Sequence, residues 1–173
     1  MDNNYQKFLA QIKRHEGTVK NRNGLHEAYL CPAGCWTIGY GHNIDADPKV
    51  VIFEPKTDRP ETLILNKHST IEDWEADAIL DYDIKRFETD LTRYVPYTCG
   101  LKIDDPVRYY AMLNMVFNMG IHRFLGFKKT IMHVSNSNFI KAADEMIDSS
   151  WAYQVGPRAR ELSSQMKTGR WQF

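Results

Sequence analysis

A carboxylic acid on the inward face of a helix end is poised to give up a proton. Tyr5, Phe8, Leu9 and Ile12 recur at i, i+3, i+4 and i+7, and four residues beyond Ile12 that stripe reaches Glu16. Partial burial strips water from such a side chain, and the negative end of the helix dipole repels its charge. Both effects favour the protonated form, which suits a general acid working near neutral pH. A glutamate swinging into solvent from a fraying helix end is the alternative that spacing leaves open. A second concentration of reactive side chains is CPAGCWTIGYGHN, residues 31–43. Cys31, Cys35 and His42 are three conceivable metal ligands, but neither HExxH nor paired CxxC spacing accompanies them, so no metal is expected. Gly39-Tyr40-Gly41 lacks the spacing and the following Lys-Ser/Thr of a phosphate loop. Its glycines instead permit close backbone approach or a bulge at a strand end.

These groups need elements to hold them. The first stripe predicts an amphipathic helix with Asp2, Asn3 or Asn4 as N-cap and Gly17 as its stop. Residues 18–53 carry turn signals at Asn23-Gly24 and Pro32-Ala33-Gly34, with β-formers Trp36, Thr37, Ile38 and Tyr40 between them, which predicts a small antiparallel sheet. Residues 54–69 read as a loop or short hairpin. Thr70, with Asp73 three residues on as an approximate capping box, predicts the start of a long helix over 70–95. Leu80, Ile84, Phe87, Leu91 and Tyr94 form its buried stripe, and Pro96 ends it. Asp105-Pro106 opens another helix, with Asp as N-cap and Pro at the first position. Its body, YYAMLNMVFNM, is apolar nearly all round, so it should be the central core helix, closed by Gly120. Helical stretches at 124–135, 138–150 and 157–168 follow, the last with Gly169 just past its end. The class is α+β: a single domain with an N-terminal helix (1–17), a β lobe (18–69), a linking helix (70–95) and a helical lobe (96–173).

The chain has 173 residues, 43% hydrophobic and 25% charged, which excludes a predominantly disordered protein. Its apolar runs are far shorter than the roughly 20 residues that cross a bilayer, so no stable membrane insertion is expected. The start, MDNNYQKFLAQIKRHEG, has no apolar core and no small-residue cleavage site, so a secretory signal is not expected. Three cysteines, Cys31, Cys35 and Cys99, are too few for a disulfide framework and point to a reducing compartment during synthesis. The 22 basic and 22 acidic residues balance, but unevenly along the chain: residues 1–43 carry +2, residues 44–106 carry −7 and residues 107–173 carry +5. An anionic polymer would prefer the two ends over the middle, or the unevenness is ordinary surface scatter.

Glu16-Gly17, a variable hairpin containing Tyr29, and then Thr37-Ile38-Gly39-Tyr40-Gly41-His42 resemble the catalytic hairpin of the phage-type lysozymes, the endolysin muramidases of glycoside hydrolase family 24. Downstream, Asn114-Met115-Val116-Phe117-Asn118-Met119-Gly120 and Gly126-Phe127 are similar to that family's core helix and the turn after it. Trp151, Gln154, Gly156, Arg158 and Arg160, with Thr168-Gly169-Arg170-Trp171, are similar to its C-terminal helices. The likeness covers nearly the whole chain, in order. It implies a mainly helical lysozyme-like fold with a small antiparallel β lobe and a long helix leading to a C-terminal helical lobe.

The resemblance also implies roles. Glu16 matches the acid that protonates the glycosidic oxygen, and Thr37 the threonine whose hydroxyl can hold the attacking water. The family usually places an aspartate between them, in the pattern Glu-x8-Asp-x5-Thr. Here Cys31 stands five residues before Thr37 but fourteen after Glu16, and six extra residues lengthen TVKNRNGLHEAYL. Cleaving a sugar–sugar bond needs an acid on one side and, on the other, a group that activates water or captures the sugar carbon. Cys31 could position water or act as base, act as a covalent nucleophile, or be structural, including in a disulfide with Cys35. Glu27, Asp45 and Asp47 are alternative second carboxylates or solvated loop charges. His42 matches a histidine that supports the hairpin, with Asp83 as its ion partner by position. Arg158 matches an arginine near the acid, and pairing with Glu16 would oppose protonation of that carboxyl. Tyr29, Trp36, Gly41 and Asn118 complete the expected substrate-binding or supporting set, and Trp36, Tyr40 and Trp151 either stack on sugars or pack in the core.

The implied activity is hydrolysis of the β-1,4 bond between N-acetylmuramic acid and N-acetylglucosamine in bacterial peptidoglycan, without a cofactor. The alternatives are a lytic transglycosylase, which yields a 1,6-anhydro sugar, or a non-catalytic peptidoglycan-binding module. The expected partner is peptidoglycan, with no nucleic acid, acting as a monomer. Synthesis would be in the host cytoplasm, with action on the wall in the periplasm after a separate holin-like protein permeabilises the membrane.

Overall fold

Helix α1 spans Asn3–Glu16 in the computed structural model, which describes residues 3–172. Asp2, one of the expected N-cap candidates, lies outside the described residues. Phe8 and Ile12 are fully buried, while Tyr5 and Leu9 are half-buried, so the predicted stripe is the helix's inner face. Lys13, Arg14 and His15 occupy the last turn, where cations complement the helix dipole. Gly17 takes the left-handed conformation (φ +65°) and its N–H reaches back to the Lys13 carbonyl at 3.0 Å, which stops the helix.

Among the described residues, seven short strands follow: β1 (His26–Glu27), β2 (Tyr29–Leu30), β3 (Trp36–Ile38), β4 (His42–Asn43), β5 (Lys49–Phe53), β6 (Pro60–Ile64) and β7 (Thr70–Ile71). The single small sheet expected over 18–53 is instead three antiparallel pieces, ordered β2-β3-β4, β1-β7 and β5-β6. Residues 54–69 resolve as the second half of a hairpin, with Phe53 opposite Pro60 and Lys49 opposite Ile64. Along β5, Val50 and Ile52 are buried and their neighbours exposed, as period-2 alternation requires.

Helix α2 runs Asp73–Tyr94 and does not begin at Thr70. Thr70 pairs with Glu27 in β1-β7, and strand pairing takes it away from the capping role. The reach-back capping contact falls two residues later: the Glu75 carboxylate accepts from the Glu72 N–H at 2.7 Å. Leu80, Ile84 and Leu91 are buried as expected and Phe87 is half-buried, but Tyr94 is exposed, its ring edge against His122. Helix α3 (Thr98–Asp104) starts two residues after Pro96, with Tyr97 as its N-cap, and has no counterpart among the expected elements.

In α4 (Pro106–Met119) the Asp105 carboxylate accepts from the Arg108 N–H, and every residue from Tyr109 to Phe117 is buried. A four-residue helix, α5 (Ile121–Phe124), ends where the expected stretch 124–135 begins, and that stretch becomes helical only after Leu125-Gly126-Phe127, as α6 (Lys128–Ser135). The stretch expected at 138–150 is α7 (Phe139–Ile147); α8 (Ser150–Val155), capped by Ser149 Oγ, lies almost entirely beyond it. Helix α9 (Pro157–Thr168) ends at left-handed Gly169, as predicted.

The chain forms two compact units. One comprises Ile12–Arg86, with a core of Ile38, Ile44, Val50, Ile52, Leu65, Ile71, Ala76 and Ile79. The other comprises Met1–Gln11 with Phe87–Phe173. In the second, fully buried Gln11 donates to Glu161 (2.6 Å) and Gln165 (2.8 Å) and accepts from Asn114 (3.2 Å). Each of those amide contacts offsets the desolvation of a buried polar group, a cost of about 1–3 kcal/mol when left unmet.

Candidate active site

The β2-β3 hairpin sets the site. Tyr29 lies opposite Thr37 and Leu30 opposite Trp36. Because side chains alternate between faces with period 2, Tyr29 and Cys31 share one face with Cys35 and Thr37. The Pro32-Ala33-Gly34 turn is closed by Cys31 N–H to Cys35 O (2.9 Å) and Gly34 N–H to Cys31 O (2.8 Å). The two sulfurs stand 2.7 Å apart, both half-buried and both free thiols. The Cys35 thiol hydrogen bond stabilises a Cys31 thiolate, and with backbone contacts at Cys35 and Ala33 and the Thr37 hydroxyl it outweighs burial, bringing the Cys31 pKa down to about 7. The same hydrogen bond, made as donor, pushes Cys35 up. Thr37 Oγ1 also donates to the Cys35 carbonyl at 3.3 Å.

Glu16 enters from the end of α1, half-buried, one helical turn after Ile12. Its carboxyl lies against the next stretch of the hairpin region: a Cβ placed on Gly41 would sit 3.0 Å from Glu16 Oε2 and 3.4 Å from Cδ. Gly41 also has φ +89°, so both the space and the backbone demand glycine there. Tyr29 shares this neighbourhood. Burial raises its phenol pKa, and the charges of Glu16, Cys31 and Cys35 raise it further. The Glu16 carboxyl at the end of α1 thereby neighbours a hairpin face that carries a phenol, a hydroxyl and a thiolate-forming pair.

His42 does structural work beside this group. It is buried in β4, opposite Ile38, with Nδ1 donating to Asp83 Oδ2 at 2.9 Å and Nε2 donating to the Asp47 carbonyl at 2.8 Å. Burial disfavours the charged ring, but the hydrogen bond and charge of Asp83, aided by Asp47, raise its pKa above the ordinary 6.5. The Asp47 carboxylate is itself engaged by the Tyr82 hydroxyl (3.1 Å) and by Arg86. Asp45 accepts from the Trp36 N–H at 2.8 Å. Glu27 is half-buried in β1, opposite Thr70.

The six extra residues build a turn of their own. Lys20 bridges to His26, and Asn21 Oδ1 accepts from the N–H groups of Asn23 and Leu25. Fully buried His26 donates from Nε2 to Asp73 Oδ1 at 2.8 Å, with Thr18 Oγ1 2.5 Å from its Nδ1. The hydrogen bond from Lys20, then that from His26, holds Asp73 below the usual carboxylate range. The longer hairpin is thus tied to the start of α2.

Trp36 and Tyr40 pack against the Ile38 core cluster. Asn118 and Arg158 belong to the second unit. There the exposed Asn118 accepts from Trp151 Nε1 at 2.8 Å, and buried Arg158 donates to Asn114 Oδ1 (2.9 Å) and to the Asn114 carbonyl (3.3 Å). Trp151 is a core residue, edge-on to Phe127. The Cys31–Cys35 contact, which the sequence leaves open only as a disulfide or part of a metal set, is a hydrogen bond between two free thiols. The signal was present: two cysteines flanking a three-residue Pro-Ala-Gly turn must face each other. Among the described residues, no group of three or more His, Cys, Asp or Glu side chains could hold a metal ion.

The phage lysozyme family profile matches residues 13–168. The chain belongs to the phage lysozyme family. It is 28% identical over 151 residues to a probable T4-type lysozyme 1 of Dictyostelium discoideum, covering 83% of this chain and 86% of that one. A probable T4-type lysozyme 2 from the same organism is 29% identical over the same coverage. An endolysin of Acyrthosiphon pisum secondary endosymbiont phage 1 is 31% identical over 121 residues, 69% of this chain and 61% of that protein. The fold is accordingly the α+β lysozyme fold, and the enzyme is a glycosidase, a lysozyme-type peptidoglycan hydrolase. No helix among the described residues is long and apolar enough to cross a membrane.

Proposed function

We propose that this lysozyme hydrolyses the β-1,4 bond between N-acetylmuramic acid and N-acetylglucosamine, with Glu16 as general acid. The observation that carries this reading is the Glu16 carboxyl set against Gly41, beside a hairpin face bearing Tyr29, Cys31 and Thr37. In the reaction, Glu16 gives its proton to the departing glycosidic oxygen. A water held by the Thr37 hydroxyl adds its oxygen to the sugar carbon, and the Cys31 thiolate takes the proton that water loses. A thiolate with a pKa of about 7 is half-populated at neutral pH, which makes it a competent base where a carboxylate would otherwise stand. His42, bound to Asp83 and the Asp47 carbonyl, holds the strand and takes no part in proton transfer. The enzyme acts as a monomer. It is made in the host cytoplasm and reaches the wall through the action of a separate membrane-permeabilising protein, a reading supported by the endolysin relative.

Mass spectrometry of fragments released from purified peptidoglycan tests the chemistry. Reducing N-acetylmuramic ends that carry the elements of water are expected, with a loss of about 10³-fold or more in Glu16→Gln. Anhydro ends would instead make the enzyme a transglycosylase, and undiminished activity in Glu16→Gln would remove Glu16 from the acid role.

A further inference from the structure

The Cys31–Cys35 pair has a geometry that hydrolysis does not need. A base requires one sulfur, yet the turn brings a second to 2.7 Å, with the backbone of the two residues locked by the Cys31 N–H to Cys35 O bond at 2.9 Å. A disulfide is about 2.05 Å long, so closing it shortens the sulfur–sulfur separation by about 0.65 Å. Both side chains are half-buried, within reach of a small reagent. The loop they would close is short and constrains the unfolded chain little, so the bond would add little stability and be readily reduced.

We propose that Cys31 and Cys35 form a reversible disulfide in exchange with small-molecule disulfides, and that this bond switches the hydrolytic site off. The switching part rests on the reading of Cys31 as base. The Cys31 thiolate attacks one sulfur of the reagent RSSR, forming a mixed disulfide and releasing RS⁻. Cys35 then loses its proton and attacks Cys31 Sγ, breaking the mixed bond and releasing the second RS⁻. Two protein thiols are oxidised and one disulfide is reduced to two thiols. An attacking thiol with a pKa near the ambient pH combines a useful thiolate fraction with good nucleophilicity, and Cys31 meets that condition. Once bonded to Cys35, Cys31 Sγ has no anionic state in which to accept a proton from water.

The test is equilibration in glutathione buffers of graded disulfide content, in a Cys99→Ser background that removes the exposed third thiol. Intact mass, thiol alkylation and turnover of peptidoglycan are read together. The expected result is loss of two hydrogens and of both alkylatable thiols, reversed by excess reduced glutathione. Activity should fall at least about tenfold over the same range, to the level of reduced Cys31→Ala. Cys35→Ser should show no two-hydrogen loss and should instead retain a single glutathionyl adduct on Cys31, because no second thiol remains to resolve the mixed disulfide. Failure to form the disulfide overturns the site, and an oxidised, disulfide-bonded enzyme with full activity overturns the switch. If the disulfide forms while reduced Cys31→Ala is as active as its parent, the reading of Cys31 as base is what fails, and the oxidation site stands on its mass.

Discussion

The proposed role of Cys31 as base depends on its neighbours. An isolated thiol is largely protonated at neutral pH, and it is the Cys35 hydrogen bond that brings its pKa to about 7. Turnover should therefore rise with pH along a limb near 7. Replacing Cys31→Asp should move that limb toward the ordinary aspartate range of about 4. A pH–rate profile of both enzymes checks this, and an unshifted limb would show that it belongs to another group. Gly41 makes a second prediction at this scale. In Gly41→Ala the new Cβ meets Glu16 Oε2, and the residue keeps a φ of +89°. Displacing a catalytic group by around 1 Å costs about 10²-fold in rate, and the backbone strain roughly 1 kcal/mol. Turnover and thermal melts together should show both losses; lower stability with unchanged turnover would count against Glu16 being the group displaced.

Between elements, the main electrostatic fixture of the Ile12–Arg86 unit is His42, which joins β4 to α2 through Asp83. Its folded pKa is raised above 6.5, so the protonated ring stabilises the fold fully below that ordinary value. The contribution is lost as pH climbs through the raised folded value. Melting temperature should accordingly fall as pH rises from about 6.5 into the alkaline range. In Asp83→Asn the histidine pKa followed by NMR should drop and the pH dependence flatten, with a cost on the order of 2 kcal/mol at low pH. A histidine that titrates unchanged in that variant would mean the pairing contributes nothing. The β1-β7 pair and the His26–Asp73 contact tie the lengthened hairpin to the same helix.

For the molecule as a whole, zero net charge conceals a −7 middle and a +5 C-terminal segment. Peptidoglycan is the substrate, and attraction of the basic segment to a negatively charged wall is expected to assist encounter. Raising ionic strength from about 0.01 M to about 0.15 M shortens the screening length from about 30 Å to about 8 Å. Apparent kcat/KM on whole sacculi should then fall several-fold while turnover of a short soluble oligosaccharide changes little. Equal salt dependence on both substrates would assign the effect to the site and not to encounter with the wall.

The sequence by itself determined the elements whose causes are local. The α1 stripe, the Asp105-Pro106 start of α4, the stops at Gly17, Gly120 and Gly169, and the placing of Glu16 one turn beyond Ile12 all follow from 3.6-residue periodicity, capping and turn chemistry. Only the tertiary structure decided what depends on long-range encounters. Thr70 had a plausible local role as a cap, but pairing with Glu27 made it a strand residue, because ladder bonds formed across the chain outweigh one side-chain cap. Leu125-Gly126-Phe127 and Asp148-Ser149 fall within stretches that read as helical but lie outside the helices, since packing determines where a marginal helix ends. The reactive residues follow the same division. Residue types and order marked Glu16, Cys31 and Thr37 as candidates, but the cross-strand register set Cys35 against Cys31 and the fold brought Gly41 against Glu16. Proton affinity and thiol reactivity are set by such neighbours, and a linear spacing does not contain them.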